Sequence, residues 1–215
     1  MVKRKSGIRY SQNDIENYFD LGFDKKKRIL YMGSFGCPGE SGENGVDNMM
    51  AEFFIKGLDV LNASGRKITV KMNNPGGDWL HGMAIYDAIR DSKAPVDIEV
   101  YGHAMSMGAV ILQAGRKRLL HPNAAVMIHD GTTSNEGMPI RSAKNWAEFE
   151  SWGCKRMYEI FASRSGRYPH YWKKKCSHDH IYTAEQAIKE GLADAIIEPT
   201  RQIPYIKPTK KTNGR

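Results

Sequence analysis

The stretch VDIEVYGHAMSMGAVIL, residues 96–112, joins an apolar strand to a helix with only a short turn between them. The segment from Val96 to Tyr101 is typical of a strand, and we expect Gly102 to break it. Helical character resumes near Met107. Because a strand that leads into a helix is the repeating unit of α/β domains, this stretch indicates an α/β fold.

The alternation of strands and helices continues on both sides of this stretch. Further strands are predicted at 28–33, 67–72, 118–120, 125–128 and 195–198. Further helices are predicted at 46–62, 78–92, 168–175 and 183–190. A long helix is predicted over 141–166, although Gly153 weakens that prediction at mid-helix. A glycine-rich loop at 33–45 lacks the Gly-Lys-Ser/Thr ending of a phosphate-binding loop.

The composition is that of one soluble globular domain. The chain has 215 residues, of which 40% are hydrophobic and 26% charged. It has no apolar run long enough for a membrane span, and the basic start is not followed by the apolar stretch of a secretory signal. The three cysteines, Cys37, Cys154 and Cys176, are far apart in the sequence. They indicate free thiols in a reducing compartment, so we expect a cytoplasmic protein.

The net charge of +8 comes from the two ends of the chain. Residues 1–28 carry eight Lys or Arg against four acidic residues, and residues 199–215 carry five against none. The part between them is close to neutral. Basic ends of this kind are usually solvated extensions, so a nucleic-acid role is the least favoured interpretation.

Three places carry candidate chemistry, and each also has a plainer interpretation. Ser106 lies at the strand-to-helix turn, with small residues two positions before and two positions after it. Its hydroxyl would be exposed there as a nucleophile or would simply cap the helix. His129 closes an apolar strand and is either a general base or a core histidine. Gly76 and Gly77 would present backbone amides to an oxyanion or form an ordinary turn. A serine nucleophile needs a base, an orienting carboxylate and oxyanion donors, and the chain contains all four kinds of group.

Several of these segments, in their order along the chain, resemble the proteolytic subunit of the Clp protease, the ClpP family of serine peptidases. The segments are Asn74–Gly77, Gly82–Asp87, Ala104–Ala109, His121–His129, Asp179–Ala187 and Glu190–Asp194. The resemblance implies a crotonase-like spiral of ββα units, with the helix at about 141–166 as a protruding handle. It also implies that Ser106 is the nucleophile, His129 the base and Asp179 the orienting carboxylate. The amides of Gly77 and Met107 would hold the oxyanion, and neither a metal nor a cofactor is implied.

The resemblance also implies domains and partners. Residues 28–198 would form the peptidase domain, residues 1–27 an axial N-terminal segment, and residues 199–215 a basic C-terminal tail. The family forms homo-oligomers of seven-membered rings that stack around a chamber. Short peptides would be cleaved by this core alone, and folded proteins only with an ATP-driven AAA+ unfoldase. No membrane partner is implied.

Some positions depart from the family pattern and leave alternatives open. Ser177-His178 stand where the family commonly has an Asp-Arg pair that links the rings, and the usual Arg-Gly-Glu-Arg stretch near the N-terminus is missing. These departures fit a divergent or virus-encoded member. The alternatives are a catalytically silent or partner-gated ring subunit and a relative acting on coenzyme A thioesters. A metal site at Cys176, His178 and His180 is disfavoured, because the spacing is not a usual zinc pattern.

Overall fold

The computed structural model describes residues 8–33, 45–132 and 137–201. Most of the glycine-rich loop, Cys37 and nearly all of the basic C-terminal tail lie outside these residues. The helices of the described part are α1 (Gln12–Leu21), α2 (Asn48–Asn62), α3 (Trp79–Asp91), α4 (Met107–Leu112), α5 (Ile140–Ser165), α6 (Pro169–Cys176) and α7 (Ala184–Glu190). Its strands are β1 (Phe23–Asp24), β2 (Ile29–Met32), β3 (Ile68–Asn74), β4 (Val96–Met105), β5 (Lys117–Leu120), β6 (Ala125–Ile128), β7 (His180–Thr183) and β8 (Ala195–Ile196).

The strands form one sheet, and most of its pairs are parallel. The main path runs β1-β2-β3-β4-β5-β8, with β1 antiparallel and the other neighbours parallel. Strand β6 pairs in parallel with the end of β4, and β7 pairs antiparallel with β6. The predicted α/β class is confirmed, and the sheet is consistent with the expected spiral of ββα units.

Strand β4 positions the site, and one prediction about it was wrong. We expected Gly102 to end the strand, but β4 continues to Met105. It continues because it changes partner: Val100 pairs with Leu120 of β5, whereas His103 pairs with Ala125 of β6. A glycine suits this point, because a Cβ on Gly102 would collide with Oδ1 of Asn73, which accepts a hydrogen bond from the N–H of His103.

The core lies between the sheet and the helices packed on it. Alternate residues of β3 (Ile68, Val70 and Met72) are fully buried, and all of α4 is buried. Full burial of a side chain of this size stabilises the fold by about 1.5–3 kcal/mol. The turn before α4 is therefore anchored on a rigid, apolar helix.

The long helix α5 runs unbroken from Ile140 to Ser165, close to the predicted bounds. Gly153 does not interrupt it, because the missing side chain makes room for the indole of Trp79. A Cβ on Gly153 would lie 3.3 Å from Cε2 of that ring. In the described part of the chain, no helix combines the length and apolar character that crossing a membrane requires.

The first helix, α1, was not among the predicted elements. Ser11 and Asp14 form a reciprocal capping box at its start, and Gly22 ends it in a left-handed conformation. The helix buries none of its residues in the core of this chain. Its apolar residues Ile15, Tyr18 and Phe19 do recur at helical spacing, and the caps mark both of its ends, so the sequence held a signal that the prediction missed.

Candidate active site

Ser106 occupies a strained turn between β4 and α4. Its φ of 51° and ψ of −119° lie in a region that residues other than glycine rarely adopt, at a cost of about 1–3 kcal/mol. The Ser106 N–H donates to the carbonyl of Met127 at 2.9 Å, which holds the turn against β6. The side chain does not cap α4, so the plainer interpretation of Ser106 as an N-cap was wrong. The turn instead leaves the hydroxyl free to contact another group.

That group is His129. Strand β6 pairs with β4 through Met105 and Met127, and His129 follows the last residue of β6. Its Nε2 lies 2.8 Å from Oγ of Ser106. The side chain is 23% exposed, so it is not a core histidine.

Asp179 lies on the other side of the imidazole. Strand β7 runs antiparallel to β6 with His180 opposite Ile128, which brings the preceding residue beside His129. The Oδ1 of Asp179 is 3.0 Å from Nδ1 of His129. With the proton on Nδ1, the imidazole donates to Asp179 and accepts from Ser106. The side chain of Asp179 is 68% exposed in the single chain, so its contact with His129 lies at the surface. This contact completes a series of hydroxyl, imidazole and carboxylate.

The loop of Gly76 and Gly77 packs directly against the Ser106 turn, so it is not an ordinary surface turn. Both glycines have positive φ, 110° and 137°. The carbonyl of Gly76 accepts from the N–H of Val46, and the N–H of Asp78 donates to the carbonyl of Val46. The N–H of Gly77 belongs to the same trans peptide unit as the Gly76 carbonyl, so it points the opposite way, away from Val46.

A second amide comes from Met107, the first residue of α4. The N–H at a helix start has no acceptor within its own helix and is available to a ligand. Two backbone amides beside a serine hydroxyl are the donors that a developing oxyanion requires. The structure therefore places all five of the predicted site residues in one region.

Asn74 is a residue of this site whose part the sequence reasoning missed. It is fully buried, and its Oδ1 accepts from the N–H of Gly76 at 2.9 Å. This bond fixes the entry to the glycine loop. The signal was present in the sequence, because asparagine commonly accepts from the backbone two residues later in a turn.

The sequence analysis disfavoured a metal site at Cys176, His178 and His180. In the described ranges, no group of three or more His, Cys, Asp or Glu is placed to hold a metal ion. Cys176 is buried, which raises the pKa of its thiol to about 12 and keeps it protonated. Since metal-binding cysteines are thiolates, this environment disfavours coordination.

Known proteins match most of the chain. The Clp protease family model matches residues 42–200. The ATP-dependent Clp protease proteolytic subunit of Deinococcus radiodurans is 31% identical over 185 residues, which cover 82% of this chain and 83% of that protein. The ATP-dependent Clp protease proteolytic subunit 3, chloroplastic, of Arabidopsis thaliana is 33% identical over 177 residues, which cover 80% of this chain and 54% of that protein.

Proposed function

This chain belongs to the Clp protease family, and we propose that it is a serine endopeptidase forming the proteolytic core of an ATP-dependent protease. The observation that carries the proposal is the pair of contacts at His129, 2.8 Å to Ser106 and 3.0 Å to Asp179. A hydroxyl, an imidazole and a carboxylate in this order activate serine for attack on a carbonyl.

The proposed reaction is acyl transfer followed by hydrolysis. Oγ of Ser106 attacks the scissile carbonyl carbon while His129 Nε2 takes its proton, and Asp179 stabilises the resulting imidazolium. The N–H groups of Gly77 and Met107 donate to the oxyanion. The imidazolium then protonates the leaving amine, the C–N bond breaks, and an acyl-enzyme remains. Water, deprotonated by His129, attacks the ester and releases the acid, and the proton returns to Ser106.

The proposed assembly is a homo-oligomer of seven-membered rings that stack around a chamber. Helix α5 supports this, because it carries large apolar side chains outside the core of the single chain. Trp146 is 44% and Trp152 is 54% exposed. Such a stripe on a long helix favours a partner surface, and we assign α5 as the handle that pairs the rings. The proposed substrates are peptides and unfolded proteins, delivered in the cytoplasm by an AAA+ unfoldase at the axial N-terminal segment.

A partner-gated or silent subunit is the second candidate function. The observation that favours it is the high exposure of Asp179 beside Ser177 and His178, where the family commonly has its ring-linking pair. An exposed carboxylate is held less firmly than a buried one, so ring assembly would complete this side of the site. Membership in the Clp protease family disfavours the coenzyme A alternative.

Labelling with a fluorophosphonate probe tests the proposal directly. Wild-type protein, Ser106→Ala and the control Ser177→Ala would be labelled while the oligomer is sized in the same sample. We expect labelling of wild type and of the control, with none in Ser106→Ala. Unlabelled wild type in a well-formed ring would favour the silent subunit, and labelling retained by Ser106→Ala would refute the assignment.

A further inference from the structure

Asp130, which directly follows His129, is held from three directions. Its side-chain Oδ1 accepts a hydrogen bond from the hydroxyl of Tyr158 in α5 at 2.5 Å. Its N–H donates to the carbonyl of Cys176 at the end of α6, at 2.8 Å. Its own carbonyl lies 3.7 Å from Sγ of Cys154, one turn before Tyr158. The residue after the imidazole is therefore tied both to α5 and to the segment that leads into Asp179.

Tyr158 is well suited to anchor this point. It is only 7% exposed, and it belongs to the buried face of α5. Burial, and then the hydrogen bond and negative charge of Asp130, raise the pKa of its hydroxyl well above the ordinary value. The hydroxyl is therefore a permanent donor, and its bond to a carboxylate is of the stronger, charge-assisted kind.

The position of this anchor matters because the sheet stops just before it. Strand β6 ends at Ile128, so His129 lies beyond the last residue that the sheet holds. Its imidazole must still meet Ser106 at 2.8 Å and Asp179 at 3.0 Å. The next fixed point along the chain is Asp130. The backbone of His129 thus lies between the sheet on one side and Asp130 on the other, and Asp130 is held by the Cys176 carbonyl at its N–H and by the Tyr158 hydroxyl at its side chain.

We propose that Tyr158 and Asp130 are positioning residues, whose hydrogen bond fixes the backbone after His129 and so aims its imidazole at Ser106. The inference rests on the proposed peptidase function. Neither residue touches the reacting atoms. Loss of the bond should lower kcat and leave KM unchanged, because substrate contacts stay in place while the base is displaced.

Tyr171 supplies a matched control. Its hydroxyl donates to Oε2 of Glu190 at 2.5 Å, the same kind of bond between α6 and the last residue of α7. Tyr158→Phe and Tyr171→Phe each delete one such hydroxyl. Steady-state cleavage of a short peptide should show a kcat loss of about tenfold for Tyr158→Phe, with KM within about twofold of wild type. Tyr171→Phe should keep both constants within about twofold.

Substitution of the acceptor separates positioning from simple loss of stability. Asp130→Asn retains an oxygen that accepts from Tyr158, so its kcat should stay within about threefold of the wild-type value. Asp130→Ala removes the acceptor, so its kcat should fall as far as that of Tyr158→Phe. The double variant Tyr158→Phe with Asp130→Ala should be no worse than either single variant, because both remove one bond. Equal losses in Tyr158→Phe and Tyr171→Phe, or no loss in either, would overturn the inference.

A crystal structure of Tyr158→Phe provides a readout that does not depend on turnover. The distance from His129 Nε2 to Ser106 Oγ should lengthen beyond hydrogen-bonding range, while Tyr171→Phe retains it. An unchanged contact refutes the positioning role even if the wild-type chain is inactive. Wild type that neither cleaves nor labels would count against the proposed function, and the crystallographic comparison would still decide this inference.

Discussion

A Cβ atom placed on Gly76 would lie 2.6 Å from the Cβ of Ser106. The same atom would lie 2.9 Å from the carbonyl oxygen of Met105, which belongs to the rigid end of β4. The glycine loop and the serine turn are thus in backbone-to-backbone contact. Any side chain at position 76 must push one of them away from the other.

Gly76→Ala should therefore abolish most of the activity. Its φ of 110° is unfavourable for alanine, and the added methyl group would displace either Ser106 or the amide of Gly77. We expect kcat/KM for a short peptide to fall about 100-fold, because displacements of about 1 Å have that effect on reacting groups. We expect the free energy of unfolding to fall by about 2–4 kcal/mol, measured by urea denaturation.

Gly65→Ala is the control for backbone strain alone. Gly65 also has positive φ, 64°, but a Cβ there would meet no atom within 4 Å. This substitution should lower the free energy of unfolding by about 1 kcal/mol and leave kcat/KM unchanged. If Gly76→Ala retains wild-type activity, the loop is not part of the site.

The rate of peptide cleavage should fall at acid pH. The neutral imidazole of His129 accepts the Ser106 proton, and the imidazolium cannot. We therefore expect kcat/KM to rise from acid pH to a plateau. A flat profile would show that His129 does not act as the base.

The stability of the fold should depend on pH through Asp194, which pairs with the buried Arg118. Partial burial of Asp194 acts to raise its pKa, but hydrogen bonds from Arg118 outweigh it, so the pKa is lowered. Because the folded-state pKa lies below the unfolded one, the unfolded chain binds the proton more readily. The stabilisation is present at neutral pH and is lost as the pH falls below about 4.

Asp194→Asn should lower the free energy of unfolding at pH 7 by about 2 kcal/mol. This is below the usual cost of breaking a buried ion pair, because Arg118 keeps its bonds to Gln113 and to the Gly191 carbonyl and Asp194 is partly exposed. The difference from wild type should shrink toward pH 3 in urea titrations. Glu52→Gln, in the exposed pair with Lys56, is the control and should leave the urea midpoint of unfolding unchanged. A difference that stays constant with pH would contradict the prediction.

Lysine substitutions on the exposed face of α5 should prevent assembly of the oligomer. Trp146 and Trp152 lie outside the core, so the variants Trp146→Lys and Trp152→Lys should still fold, with an unchanged circular dichroism spectrum. Burying an unpaired ammonium in an interface is strongly unfavourable, so we expect sedimentation velocity to show smaller species. Tyr168→Lys, at another exposed aromatic position, is the control and should assemble as wild type does. Intact rings in both tryptophan variants would rule out this face as the contact.

Several elements could be predicted because their signals are local. Thr183 and Gln186 form the expected capping box at the start of α7, and Gly191 ends that helix in a left-handed conformation. The bounds of α5 followed from its apolar spacing. The break expected at Gly102 was wrong, whereas the long helix predicted through Gly153 was confirmed. At both glycines another part of the chain, Asn73 or Trp79, lies close to where a side chain would be.

The α/β class, most of the helices and the residue types available for catalysis follow from the amino-acid order alone, because caps, turns and apolar spacing act over a few residues. The meeting of Ser106 and Asp179 at the same imidazole, across separations of 23 and 50 residues from His129, depends on the folded chain. Those contacts depend on the registers of β4 with β6 and of β6 with β7. Register is set by the packing of the whole core, and a shift of one residue would turn these side chains to opposite faces.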